Sequence, residues 1–266
     1  MNANRPAEMT PARVERLARI ARQRWWHTLD LGGGDVTPGG WDIRHLPARM
    51  PWPNNLAGQR CLDVGTADGF WAFEMERRGA AEVAAIDVPD AAKDHRPGWP
   101  PPGRNAADER RPGEAFQVAA EALNSKAWFQ LVNIYDLRPE LIGQFDLVFV
   151  GYLLHQLRDP LRALAAVRSV CRGSVIVLDQ VLFWQSLLNW SPLAYVGHRR
   201  PYQDFWYFNA AGLRRMVELA GFRVAGDSGF VHFRAGPGVT PAAGTQLRLW
   251  ATGGTASRAV RGDVMA

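Results

Sequence analysis

The sequence predicts an α/β fold: a doubly wound, mostly parallel seven-stranded sheet with helices on both faces. Three observations predict it. Short apolar runs rich in β-branched residues recur from residue 60 to about 180, helix-like segments separate most of them, and a glycine-bearing turn follows the first run.

The elements can be justified in order. Residues 1–26, MNANRPAEMTPARVERLARIARQRWW, contain an amphipathic helix. Thr10 caps it, Pro11 takes its first turn, and Val14, Leu17, Ala18, Ala21 and Trp25 form an apolar stripe with arginines opposite. RCLDVG, EVAAIDV, WFQLVNIYD, FDLVFVG and SVIVLDQ are the first five strands. Asp159-Pro160 opens the helix LRALAAVRSVCR, which Gly173 is expected to end, and Asn209 opens AAGLRRMVELA, which stops at Gly221. FRVAGDSGFVHFR and TQLRLWAT follow as an antiparallel pair at one sheet edge.

This reading gives an N-terminal helix and lid segment over 1–54, a central domain over 55–252, and a loose tail over 253–266. Two segments break the alternation. Residues 89–114 are rich in Pro, Gly and Arg and read as a long surface loop, either a lid or a tolerated insertion. Residues 181–208 are dense in Phe, Trp and Tyr and read as a cap that packs on the domain and lines an apolar or ring-shaped pocket.

Composition narrows the function. At 266 residues, 47% hydrophobic and 21% charged, the chain is an ordinary globular protein. No run approaches the about 18 apolar residues of a membrane span. The arginine-rich start lacks the apolar core of a secretory signal, so a cytoplasmic location is expected. Cys61 and Cys171 have no metal-ligand spacing and are read as packing residues. A net charge of +5 invites a nucleic-acid reading. However, much of that excess sits in residues 1–24, where Arg5, Arg13, Arg16, Arg19, Arg22 and Arg24 outweigh Glu8 and Glu15. A solvated helix face is the simpler account, with contact with RNA or an acidic substrate as the alternative.

The turn itself is Gly65-Thr66-Ala67-Asp68-Gly69. A dinucleotide fingerprint needs G-x-G-x-x-G, and the spacing here is different. Asp63, two positions before the first glycine, would repel a pyrophosphate but suits an ammonium group. Asp87 ends the second strand, where an acceptor for a ribose diol belongs. Amino acid plus ribose, without phosphate, describes S-adenosylmethionine.

At this point the chain resembles a known family. LDVGTADGFW, GAAEVAAIDV, NIYDL and FDLVFVGYLLHQLRDPLRALAAVRSVCRG, in that order, are similar to class I S-adenosylmethionine-dependent methyltransferases over roughly residues 55–250. Residues 24–42 and the block LLHQLRDPL resemble a subgroup that includes tRNA wobble-uridine methyltransferases and actinobacterial small-molecule methyltransferases. The resemblance implies that Asp63, Gly65 and Gly69 cradle the methionine part, with Thr66, Phe70, Val88 and Gly151 around the cofactor. Asp87 would hold the ribose and Asp136 would lie beside the adenine. The family's D-x-G-x-G-x-G has glycine where this chain has Ala67, which loses freedom at positive φ.

Methyl transfer needs alignment first, since well-aligned groups reach effective molarities of about 10⁵ to 10⁸ M. A base adds about 10² to 10⁴-fold for a hydroxyl nucleophile. His155, just past the fourth strand, is one candidate, with a loop histidine as its bland alternative. His27 is the second, provided the N-terminal segment folds over the cofactor mouth. Tyr152, Trp184, Tyr202, Trp206 and Tyr207 are candidates for the acceptor pocket, although tyrosines in an aromatic cap are often core. The [DN]-P-P-[YF] turn of enzymes that methylate exocyclic amines of nucleobases is replaced by Gly151-Tyr152-Leu153-Leu154, which disfavours that chemistry. No required metal is expected, apart from a magnesium site built on distant carboxylates such as Asp179. Three readings follow. The first is a methyltransferase acting on a small-molecule hydroxyl, the second a tRNA-modifying enzyme, and the third a non-catalytic cofactor-binding partner.

Overall fold

The structure, a computed structural model, describes residues 10–88, 111–197, 204–238 and 255–265. Along the chain come α1 (Pro11–Arg22), β1 (Trp41–Asp42), β2 (Arg60–Val64), α2 (Phe70–Arg77), β3 (Glu82–Asp87), α3 (Glu114–Leu123), β4 (Trp128–Leu131), α4 (Pro139–Ile142) and β5 (Phe145–Gly151). The second half has α5 (Pro160–Val170), β6 (Cys171–Leu182), α6 (Phe183–Leu188), β7 (Ala194–Val196), β8 (Trp206–Phe208), α7 (Ala210–Leu219), β9 (Phe222–Val231), β10 (Arg234–Ala235) and β11 (Thr255–Val264).

Seven strands form the main path in the order β4-β3-β2-β5-β6-β11-β9. Every pair from β4 to β6 is parallel, and β11 runs antiparallel between β6 and β9. Strand alternation splits the core in two. On β5, Val148 and Val150 face α5 and α7, while Leu147 and Phe149 face the layer of α1, α2 and α3. That two-sided burial is why the strands read as unbroken apolar runs. Cys61 and Cys171 are buried in these layers, and burial pushes their thiols up to about 12 and about 11.

Side-chain caps set the helix starts. Thr10 accepts from the Arg13 amide at 3.3 Å, Asp159 from the Arg162 amide at 3.0 Å, and Asn209 from the Gly212 amide at 2.7 Å. Gly173 plays a different part from the one expected. Helix α5 ends at Val170, and Gly173 lies within β6, where a Cβ would fall 2.2 Å from the Asp146 carbonyl oxygen.

The C-terminal segment corrects the sequence reading most. Thr255–Val264 is no loose tail but the long strand β11, hydrogen-bonded on both sides. Its small and polar composition misled because Ala256, Ser257 and Ala259 are buried where little room remains. TQLRLWAT, expected as β9's partner, lies outside the described residues, as does most of the 89–114 loop.

Residues 25–42 fold back on themselves and join the same core through Trp25, Leu29 and Leu31. The Thr28 amide donates to the Trp41 carbonyl at 2.7 Å, and the Thr37 hydroxyl donates to the His27 carbonyl at 2.8 Å. Gly39 is required there, since a Cβ would meet the His27 carbonyl carbon at 2.0 Å. Strand β1 then pairs with β10. Helix α1 is fastened by Arg13 and Arg16 to Asp35, and by Arg19 to Glu121 of α3 at 2.5 Å. The Arg13 guanidinium holds the Asp35 carboxyl below the usual carboxylate range.

Candidate active site

Strand order reverses at β2, whose neighbours are β3 and β5, and a crevice opens at the carboxyl ends of those strands. Its cavity is about 160 Å³ and continues into an open mouth. Gly65, Ala67, Asp87 and Val88 line one end, and Val132, Asn133, Ile134 and Leu157 another. Trp26, His27, Trp41, Tyr152 and Phe233 line the rest, with Gly151 at the end of β5.

The glycine turn is built by backbone geometry. Gly65 and Gly69 have φ of +74° and +91°, and Ala67 is left-handed too at +53°. The Gly65 and Thr66 amides donate to the Ile86 carbonyl at 2.9 and 3.0 Å, while the Ala67 amide donates to Asp87 Oδ2 at 3.0 Å. The Val88 amide donates to Asp87 Oδ1 at 2.8 Å. Asp87 is therefore a carboxylate held rigid at the cleft by two backbone donors.

Asp63 sits behind the turn and is not among the residues lining the cleft. It is 1% exposed and accepts from the Thr66 hydroxyl at 2.7 Å and the Ala72 amide at 3.1 Å. Burial raises its carboxyl to about 7, against the downward pull of the Thr66 bond. Thr66, Gly69 and Phe70 are likewise packed beneath the surface, with Phe70 against the His27 ring at 5.6 Å. Asp136 is exposed in a short 3-10 turn and does not line the cleft; Asn133, three residues earlier, does.

The two histidines part company. His155 is 2% exposed and is not a lining residue. Its Nδ1 donates to Asp179 Oδ1 at 2.5 Å, and Nε2 lies 3.6 Å from Asp204. Asp179, weighed above as a metal ligand, is committed to this pair. Among the described residues no group of three or more His, Cys, Asp or Glu side chains is placed to hold a metal ion. His27 does line the cleft. Its Nδ1–H donates to Asp68 Oδ1 at 2.5 Å, which fixes the tautomer and leaves Nε2 as the nitrogen available to a ligand.

The aromatic cap also differs from expectation. Trp184 is 58% exposed and away from the cleft, Tyr207 is buried with its hydroxyl donating to Asp204, and Trp206 donates to the Arg158 carbonyl. Tyr202 lies outside the described residues. Tyr152 lines the cleft as expected, at φ +54°, with its hydroxyl 2.6 Å from Ser257 Oγ. Burial raises its phenol above the ordinary value. The aromatic wall comes instead from Trp26, Trp41 and Phe233, which sequence reasoning missed because β1 and β10 are too short to announce their pairing. Asp68 was in view inside the glycine turn, but its partners lie about forty residues upstream.

The fold and this crevice define a domain of the S-adenosylmethionine-dependent methyltransferase class. Residues 42–225 match the methyltransferase domain family, and the chain belongs to it. The ubiquinone biosynthesis O-methyltransferase of Albidiferax ferrireducens is 30% identical over 193 residues, 70% of this chain and 62% of that protein. This chain thus spans less than two thirds of that relative. The Neisseria meningitidis serogroup C protein of the same name is 27% identical over 237 residues, 82% of this chain and 84% of that one. The N-terminal domain of EvdMO1, solved in the presence of SAH and D-fucose, superposes with a TM-score of 0.58 at 15% identity, covering 98% of this chain and 100% of that one. The [4+2]-cyclase SpnF superposes at 0.56 with 15% identity, covering 94% and 92%. At that identity the likeness speaks for the fold alone, and a cyclase among the neighbours makes the point.

Proposed function

We propose that the protein is an S-adenosylmethionine-dependent methyltransferase acting on a hydroxyl oxygen of a small molecule. The observation that carries this reading is His27, a cleft-lining imidazole whose Nδ1 is held by Asp68, in the same crevice as the Asp87 carboxylate. The crevice suits the cofactor in the chemistry of its donors. Asp87 offers acceptor oxygens for ribose hydroxyls, Val88, Val132, Ile134 and Leu157 offer an apolar slot for a planar base, and Gly65 and Gly151 leave backbone open for the amino-acid part.

When bound, S-adenosylmethionine supplies a methyl group on a sulfonium, so that an oxygen–carbon bond forms as the carbon–sulfur bond breaks and a neutral thioether leaves. The chain's own part is to align and deprotonate. His27 Nε2 takes the acceptor's hydroxyl proton and passes it to water, since its side chain keeps 17% exposure. Trp26, Trp41, Tyr152 and Phe233 hold the acceptor's apolar body and keep water from it. The O-methyltransferase names of the relatives support transfer to oxygen.

The tRNA reading, raised by the subgroup resemblance, loses support from α1. Arg13, Arg16 and Arg19 are ion-paired within the chain, so these arginines act as fasteners. The test is to supply S-adenosylmethionine with a labelled methyl together with a small-metabolite extract, and separately with unmodified tRNA. Label in the small-molecule fraction supports the proposal. Label in tRNA overturns the acceptor, and tight cofactor binding with no label in either fraction favours a non-catalytic role.

A further inference from the structure

We propose that Asp68 is a positioning residue that couples the cofactor turn to the acceptor side of the cleft. It rests on the cofactor reading above, and for its effect on turnover also on His27 as the base. Asp68 belongs to the turn, between Ala67 at φ +53° and Gly69 at φ +91°. Its side chain, however, serves the N-terminal segment. Oδ2 accepts from the Trp26 amide at 2.8 Å and the His27 amide at 2.7 Å, and Oδ1 takes the His27 ring at 2.5 Å.

Three donors on one carboxylate that is 1% exposed make a demanding arrangement. Removing the carboxylate would take the acceptor from all three donors at once. The backbone on either side of Asp68 is left-handed, so the direction of the carboxylate follows the conformation of the turn. Trp26 and His27 both line the cleft. A ligand that orders the Gly65–Gly69 turn therefore also orders this wall and fixes the His27 tautomer. By linkage the effect is reciprocal, and a coupling of about 5 to 150-fold is the usual scale.

The experiment uses the full chain, with and without S-adenosylmethionine. In the wild type, amide hydrogen exchange in residues 24–30 should slow by at least about fivefold when the cofactor is bound. In Asp68→Asn that protection should disappear, and ¹⁵N shifts of the His27 ring should move from a single Nδ1–H form to a mixture. Turnover should fall, and cofactor affinity, by calorimetry, should weaken by about fivefold or more. Cofactor-bound wild type without protection at 24–30 overturns the coupling, even should Asp68→Asn not fold. A folded Asp68→Asn with unchanged exchange and ring shifts overturns it as well. His27→Ala with full turnover overturns the base and leaves the coupling standing, whereas absence of cofactor binding to the wild type overturns the cofactor reading itself.

Discussion

The backbone amide of Ala67 donates to the Asp87 carboxylate across 3.0 Å, so a residue at φ +53° ties the first strand's turn to the end of the next strand. The bond holds Ala67 in a region where a Cβ costs roughly 1–2 kcal/mol. Ala67→Gly should keep the bond and relieve that cost, offset in part by the greater freedom of glycine in the unfolded chain. Thermal unfolding should show a gain of up to about 1 kcal/mol, and Ala67→Val should show a clear loss. A lower melting temperature for the glycine variant would contradict the strain.

Asp63 sets a pH dependence. Burial lifts its folded carboxyl to about 7 from an ordinary value of 3.8, so the folded state holds this proton more tightly than the unfolded chain. The stability it contributes is fully present below about pH 4, declines as pH rises, and is gone above about pH 7. The upper bound is on the order of 4 kcal/mol. Wild type should thus lose ground to Asp63→Asn between pH 5 and pH 8. A constant difference in melting temperature across that range would refute it.

His155 and Asp179 form a buried pair, and removal of one partner leaves a carboxylate with no access to water. His155→Ala should cost about 3–5 kcal/mol of stability. Methyl transfer per folded molecule should change little, because His155 does not line the cleft. A His155→Gln protein that melts like wild type but has lost turnover would return His155 to the chemistry.

Trp41 and Phe233 meet edge to face at 5.6 Å, and Phe233 packs on Tyr152 at 4.3 Å. These rings belong to the acceptor side in the proposed mechanism. Phe233→Ala should raise the acceptor's KM by about two- to tenfold, the scale of one lost aromatic contact, with cofactor affinity unchanged. A selective loss of cofactor affinity would move the rings to the other half of the cleft.

Much of this was legible in the chain. Asp159-Pro160 and Asn209 announced their helices because capping is chemistry between neighbours. Asp63, Gly65 and Asp87 pointed to one turn and one strand end because a parallel strand, a tight turn and the next strand are separated by few residues. His27 was in view only as a candidate conditional on folding over the cleft, and Asp136, expected at the cofactor, does not line the cleft.

The sequence by itself determined the parallel sheet, the place of the crevice and its polar end, since these depend on alternation of buried residues and on local backbone geometry. Tertiary structure alone decided which histidine faces the cleft, which aromatics wall it, and that residues 255–264 form an interior strand of the sheet. Those outcomes depend on pairings such as Trp41 with Ala235, Asp68 with His27 and Val181 with Ala256. Partners that far apart in the chain leave no periodic trace, and their contacts form only when the rest of the core has fixed where each segment lies.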